Sequence, residues 1–338
     1  MASILKGQNI TVTGGTGSIG GTIVRRALKE GAKSIKIFSN DENGLYELEE
    51  KLEKTNKLEF IIGDIRDEDS VRDALKKTNL VFHAAALKHV DRCELNPFET
   101  VSVNIIGTNN VAKASIKEKV KRVISISTDK AVNPIGVMGA TKLVAEKLIM
   151  SEAYHQHSNT VFTSVRFGNV LDTRGSIIPR IENQIQRGGP ITLTDRKMQR
   201  FFMTKEQAVD LIMSATRLAK GGEIFVLKMP LLRLEDMFDA MKQVIAPKYG
   251  FKPSQIKTKI IGVRPGEKFN EYLLNDYEMD HALEMKDFFI IPPLQYITKN
   301  KYPGAKKPKS IHSYFENLKP IKKKEILKII KDVYQNQK

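Results

Sequence analysis

The chain has one cysteine in 338 residues, Cys93. A lone thiol excludes an internal disulfide and a metal site built on cysteines. Nor does any apolar run approach the roughly 18 residues that a membrane-spanning helix needs. No signal-peptide pattern precedes Gly7, so a cytoplasmic location and no membrane span are the expectations. There is no internal repeat and no low-complexity linker before the C-terminal tail. Acidic residues are in short supply: 55 Lys and Arg face 39 Asp and Glu, a formal net charge of +16. The surplus is uneven, because residues 299–338 carry 12 Lys, 3 acids and no arginine, and hence +9 of it. This Lys-rich tail reads as a solvated surface rather than a nucleic-acid site, since the rest of the chain reads as an enzyme. No nucleic-acid partner and no metal are expected.

What is present is strand alternating with helix. Gln8–Thr13 reads as a first strand, followed at once by Gly14-Gly15-Thr16-Gly17-Ser18-Ile19-Gly20 and a helix over Ile19–Glu30. Glycines at this spacing give a tight turn and a close backbone approach, so that the helix N-terminus receives a pyrophosphate. Further strands are expected at Ser34–Phe38, Leu58–Ile62, Leu80–His83, Val123–Ser127 and Thr160–Arg166, and one more at Glu223–Leu227. Helices fit Glu68–Leu75, Pro97–Lys117, Met138–Tyr154 and Glu206–Leu218. The pattern specifies an α/β fold with a doubly wound parallel sheet of the Rossmann type. The dinucleotide-binding domain is expected over 1–168 with 198–229. A smaller C-terminal lobe for the substrate takes 169–197 with 230–338, where proline and glycine break the alternation.

The strand exits supply the candidate cofactor contacts. Beyond the glycine turn these are Ser39, Asn40 and Asp41 after the second strand, Asp64 and Ile65 after the third, and Ala84, Ala85 and Ala86 after the fourth. An acid directly at the second strand tip would accept ribose hydroxyls and repel a 2′-phosphate. Here the tip is Ser39-Asn40, with Asp41 one step beyond, which leans towards NADP over NAD although no neighbouring arginine is present. Asp64 either accepts from an adenine amino group or caps the following helix. His83, on an apolar strand, reads as a satisfied structural histidine, and Lys88 lies near the phosphates or the sugar.

The densest chemistry follows the fifth strand. Ser127-Thr128-Asp129-Lys130-Ala131 closes it, and Met138-Gly139-Ala140-Thr141-Lys142 opens the next helix. A hydroxyl, an acid and an amine thus sit at the carboxyl end of a parallel strand, where open sheets hold their ligands. Met138 and Lys142 share one helix face.

These segments resemble extended short-chain dehydrogenase/reductases of the UDP-N-acetylglucosamine 4,6-dehydratase group. The likeness also covers Arg166–Pro179, Arg200-Phe201-Phe202-Met203-Thr204, Gly221–Val226 and Arg264-Pro265-Gly266-Glu267-Lys268, and it ends near residue 270. The resemblance implies oxidation at sugar C4 with a tightly bound, recycled NAD(P), loss of water across C5 and C6, and reduction of C6. It implies Lys130 as the C5 base with a lowered pKa, Asp129 as the acid for the leaving hydroxyl, and Thr128 as the group holding O4. Lys142 and Val170 would contact the cofactor. Lys88, Asn169, Arg174, Thr192, Arg264 and Glu267 would contact the UDP-sugar, and a homo-oligomer is implied.

The departure is Met138, where most short-chain dehydrogenases have a tyrosine that takes the substrate's hydroxyl proton. A thioether cannot do so usefully. The base for O4 is then Asp129, Lys130, or water relayed through Thr128 or Lys142, and inversion or retention at C5 stays open. Two other readings stand beside the dehydratase: a UDP-sugar 4-epimerase or dehydrogenase on the same fold, and a non-catalytic NAD(P)-binding protein.

Overall fold

The computed structural model describes residues 3–153, 159–293, 302–306 and 311–335. The strands in chain order are β1 Asn9–Thr13, β2 Ser34–Ser39, β3 Leu58–Ile62, β4 Leu80–His83, β5 Arg122–Thr128, β6 Val161–Phe167, β7 Asn169–Val170, β8 Ile191–Leu193, β9 Gln199–Met203, β10 Glu223–Leu227, β11 Leu231–Arg233, β12 Thr258–Ile260, β13 Leu283–Glu284 and β14 Phe288–Ile291. Nine form one sheet in the order β13-β14-β10-β6-β5-β4-β1-β2-β3. From β3 to β10 every pairing is parallel; β14 and β13 add an antiparallel edge.

The inner strands are apolar on both faces because helices cover both. Ile10, Val12, Ile35, Ile37, Phe82 and Val165 are buried, as are Ile23, Val24 and Ala27 of the helix Ser18–Lys29. Strand order reverses at β1, with β2 and β3 on one side and β4 onward on the other. The crevice at the carboxyl ends of β1 and β4 is therefore the switch point at which such sheets take ligands.

The expected helix Pro97–Lys117 is not regular. It runs as α-helix over Pro97–Val101, widens to a π-turn over Ser102–Gly107, and resumes over Thr108–Lys117. The widening brings Asn104 against the β4 exit, where it accepts from the Leu87 amide (2.8 Å) and donates to the Leu87 carbonyl and Thr141 Oγ1. The helix after β5 spans Val137–Glu152; its expected last residue, Tyr154, lies outside the described residues.

The lobe is built from β7, β9 and β11, the β8–β12 pair, and the helices Ile177–Gln186, Leu234–Ile245 and Lys323–Gln335. Its expected extent, 230–338, is interrupted. Leu283–Ile291 joins the main sheet, and the buried Tyr302 hydroxyl bonds Glu223 at the start of β10. The Lys-rich tail also differs from a purely solvated surface. Ile326, Ile330 and Tyr334, spaced by four, are buried beside Leu234–Ile245, and Tyr334 bonds Glu182. Lys322, Lys324, Lys328 and Lys331 are left facing water. The tail outside 302–306 and 311–335 lies beyond the described residues.

Candidate active site

A cavity of about 750 Å³ runs from the glycine turn, across the ends of β1, β4 and β5, into the lobe. At its first end the backbone is packed so closely that side chains do not fit. A Cβ on Gly14 would stand 2.7 Å from the Ala85 backbone, and one on Gly20 would stand 2.3 Å from the Gly14 carbonyl oxygen. Gly14, Thr16, Gly17, Ser18, Ile19 and Gly20 line the cavity, facing Ala84, Ala85 and Ala86. Such a cradle fits a dinucleotide pyrophosphate.

At the β2 tip, Ser39 Oγ and Thr16 Oγ1 are 2.9 Å apart. Asp41 Oδ1 caps the next helix by accepting from the Gly44 amide. Asn40 donates to Asp64, which is held below its ordinary pKa by Arg66, 2.6 Å away, against the opposing effect of burial. The cap of the helix Glu68–Leu75 is Asp67, so Asp64 is left to the cavity that it lines together with Ile65. His83 is structural: it bridges Thr13 and Thr108, and burial lowers its pKa to about 3, keeping the ring neutral.

The turn after β5 brings Thr128, Lys130, Met138 and Lys142 to the cavity, with Asp129 wholly buried behind its wall. Gly139 permits this, since a Cβ there would meet the Lys130 carbonyl oxygen at 2.3 Å. Lys142 donates to the Ile126 carbonyl (2.7 Å), and burial lowers its pKa to about 8 against the pull of Glu146.

Two expectations need correction here. Asp129 does not reach the cavity; it is wholly buried, and its Oδ1 accepts from Thr128 Oγ1 (3.0 Å), which does line it. Lys130 has a raised pKa, not a lowered one. Burial opposes its charge, but Asp129 (3.1 Å) and Glu271 (2.7 Å) outweigh that cost. Burial and the negative Glu271 raise Asp129 as well, to about 7, against the lowering effect of Lys130. Asp129 Oδ2 is buried without a hydrogen-bond partner among the described residues.

In the lobe, Asn169 donates to Glu271 (2.9 Å) and to the Phe201 carbonyl, and Val170 follows it on the cavity wall. Thr192 accepts from Arg180 (2.7 Å) and Gln184. Arg264 and Glu267 line the same end, and burial together with the like charge of Arg264 lowers the Arg180 pKa. Arg174, expected at the sugar, lies elsewhere: its guanidinium is 3.4 Å from Asp41 and 3.1 Å from Glu47, beyond the β2 tip. Its amide takes Ser18 Oγ as acceptor, and its carbonyl accepts from Lys88 Nζ.

Sequence reading missed Glu271, Arg180 and Asn104. The motif Arg264–Lys268 stops three residues short of Glu271, and only the fold carries that segment back to Lys130.

The chain belongs to the polysaccharide biosynthesis protein family, whose pattern it matches over residues 10–293. It is 46% identical over 334 residues to an uncharacterized membrane protein of Methanocaldococcus jannaschii, covering 98% of each chain. It is 40% identical over 290 residues to a UDP-glucose 4-epimerase of Rickettsia rickettsii, covering 84% of this chain and 83% of that one. The crystal structure of Pen from Bacillus thuringiensis superposes with a TM-score of 0.89 at 42% identity, over 97% of this chain and 98% of that one. Solved structures that share the fold at lower identity include nucleotide-sugar enzymes with NAD bound. Among the described residues no helix is long and apolar enough to cross a membrane.

Proposed function

We propose that this protein is a UDP-N-acetylglucosamine 4,6-dehydratase. The observation that carries the reading is the Asp129–Lys130 pair at the β5 tip, with Asp129 buried and able to keep a proton near neutral pH. An elimination of water needs such an acid, whereas 4-epimerisation does not. The nicotinamide cofactor, when bound, would supply oxidation at C4 and the matching reduction at C6. The glycine cradle, Ser39 and Lys142 hold it, and NADP is favoured because Asn40 leaves no acid at the strand tip while Arg174 brings a cation near it. Arg180 and Arg264, adjacent cations at the far end, take the diphosphate.

Thr128, whose hydroxyl donates to Asp129 Oδ1 at 3.0 Å, holds O4, and by turning that hydroxyl to accept from Asp129 it relays the Asp129 proton to the departing hydroxyl. Lys130 takes the C5 proton once its own has moved to a neighbouring carboxylate. Met138, 4% exposed on the cavity wall, takes none. The O4 proton goes to Asp129, Lys130, or water held by Thr128 and Lys142.

A 4-epimerase is the second reading, favoured by the name of the Rickettsia relative. Proton NMR of UDP-N-acetylglucosamine with the enzyme in deuterated water separates the two. A new C6 methyl signal without net NAD(P)H is the expected result. An inverted C4 with C6 still hydroxylated overturns the proposal. Self-association is proposed through the helices beside the site, where Leu95 (75% exposed) and Phe98 (81% exposed) present apolar surface.

A further inference from the structure

We propose that Glu271 is a positioning residue that completes the proton-transfer site by holding Lys130 against Asp129 and accepting the proton that Lys130 must shed. The inference rests on the dehydratase reading and adds a residue to it.

Glu271 is 3% exposed in its side chain, and its carboxylate is built into place. Oε1 lies 2.7 Å from Lys130 Nζ and 3.4 Å from Arg200 Nε, and Oε2 accepts from Asn169 Nδ2 at 2.9 Å. Arg200, on β9, fixes the segment itself by donating to the carbonyls of Lys268 (2.7 Å) and Phe269 (2.8 Å). Other charges around the cluster are Lys268 and Glu267 on the same segment, with Arg166 on β6 beyond.

Two buried acids and a half-buried base cannot all carry charge cheaply. With Lys130 protonated, one carboxylate is matched. Glu271, which has Arg200 and Asn169 as well, is the better-solvated anion, so Asp129 keeps its proton. This is the resting state. Transfer of one proton from Lys130 Nζ to Glu271 Oε1 breaks an N–H bond and makes an O–H bond, and it leaves all three groups neutral. The free amine then takes the C5 proton. The electrons of that C–H bond become the C5–C6 double bond as C6–O breaks, and the hydroxyl leaves as water with the Asp129 proton. This step leaves the proton total of the cluster unchanged, one gained from C5 and one given to the leaving hydroxyl. The proton released from O4 in the oxidation is matched by the one returned to C5 when C6 is reduced. Without Glu271, Asp129 ionises against Lys130, and the pair loses its acid and its base together.

The test is Glu271→Gln, near-isosteric, with Glu271→Asp as rescue and circular dichroism to establish folding. The kcat of the Gln variant should fall about 100-fold or more with KM little changed, and the alkaline limb of its pH profile should move down by about one unit; Asp should recover part of both. A second readout needs no substrate. The infrared band of the protonated Asp129 carboxyl, assigned by its loss in Asp129→Asn, should disappear at lower pH in Glu271→Gln than in wild type. An unmoved band in a folded variant overturns the inference. A shifted band in a protein that gives no dehydration product upholds the charge coupling and overturns the dehydratase reading alone.

Discussion

Arg166 and Glu146 face each other wholly inside the protein, Arg166 Nη2 lying 2.7 Å from Glu146 Oε2. Glu278 meets the same guanidinium at 2.8 Å, and the Leu273 carbonyl accepts from it. The cluster ties β6 to the helix that carries Met138 and Lys142, and to the segment that follows Glu271. Removing one partner leaves a buried charge unmatched, which costs about 3–5 kcal/mol. Arg166→Met should lower the unfolding free energy by that amount in urea titration. A loss below about 1 kcal/mol would show that the two carboxylates are matched some other way.

Lys142 gives a pH signature of opposite sign to the usual ion pair. Its folded pKa, about 8, lies below the ordinary 10.5 because burial disfavours the charged amine. Between these values the unfolded chain binds more protons than the folded one, so stability rises with pH across that window. Below about pH 8 both states are protonated and the penalty is fully present. Against Lys142→Met, the wild-type protein should gain stability from pH 8 towards 10.5 with a slope approaching about 1.4 kcal/mol per unit. Parallel stability curves for the two proteins would contradict the burial argument.

Gly139→Ala probes the contact between the β5 turn and the following helix. The added methyl would stand 2.3 Å from the Lys130 carbonyl oxygen, against backbone that cannot swing aside. A displacement of the turn approaching 1 Å is enough to lower turnover about 100-fold. The measurement is kcat beside a thermal melt. Unchanged turnover would mean that the turn yields without moving Lys130.

How much of this was legible in the sequence depends on how far apart the partners lie along the chain. The glycine turn and the β5 tip are local, so spacing alone placed them, whereas the cap of the helix Glu68–Leu75 is Asp67 and not the Asp64 considered for it. The parallel sheet followed from strand-helix alternation; its strand order did not. The π-turn at Asn104 has no periodic signature, because it replaces a regular helix by a wider one without changing residue types. Glu271 reads as an ordinary acid until Arg200 folds its segment onto Lys130. The raised pKa of Lys130 was hidden for the same reason: its sign depends on a carboxylate supplied by another part of the fold. The lysine tail misled in a simpler way, its net charge masking the buried stripe Ile326, Ile330 and Tyr334.

Arg174 follows β7 in the chain yet is held by residues around the glycine turn and the β2 tip. Its amide donates to Ser18 Oγ (2.9 Å), its carbonyl accepts from Lys88 (2.7 Å), and its guanidinium pairs with Asp41 and Glu47. The loop thus crosses from the first helix to the end of the second strand, where a ribose 2′ group would lie. Arg174→Ala removes the cation and leaves Asp41 and Glu47 unopposed beside that position. The affinity for NADP should then fall about 10-fold or more, and the affinity for NAD, which brings no 2′-phosphate, should fall less. Fluorescence titration of the stripped protein with each dinucleotide measures both. Equal losses would assign Arg174 to closing the loop alone, and a larger loss for NAD would reverse the cofactor preference.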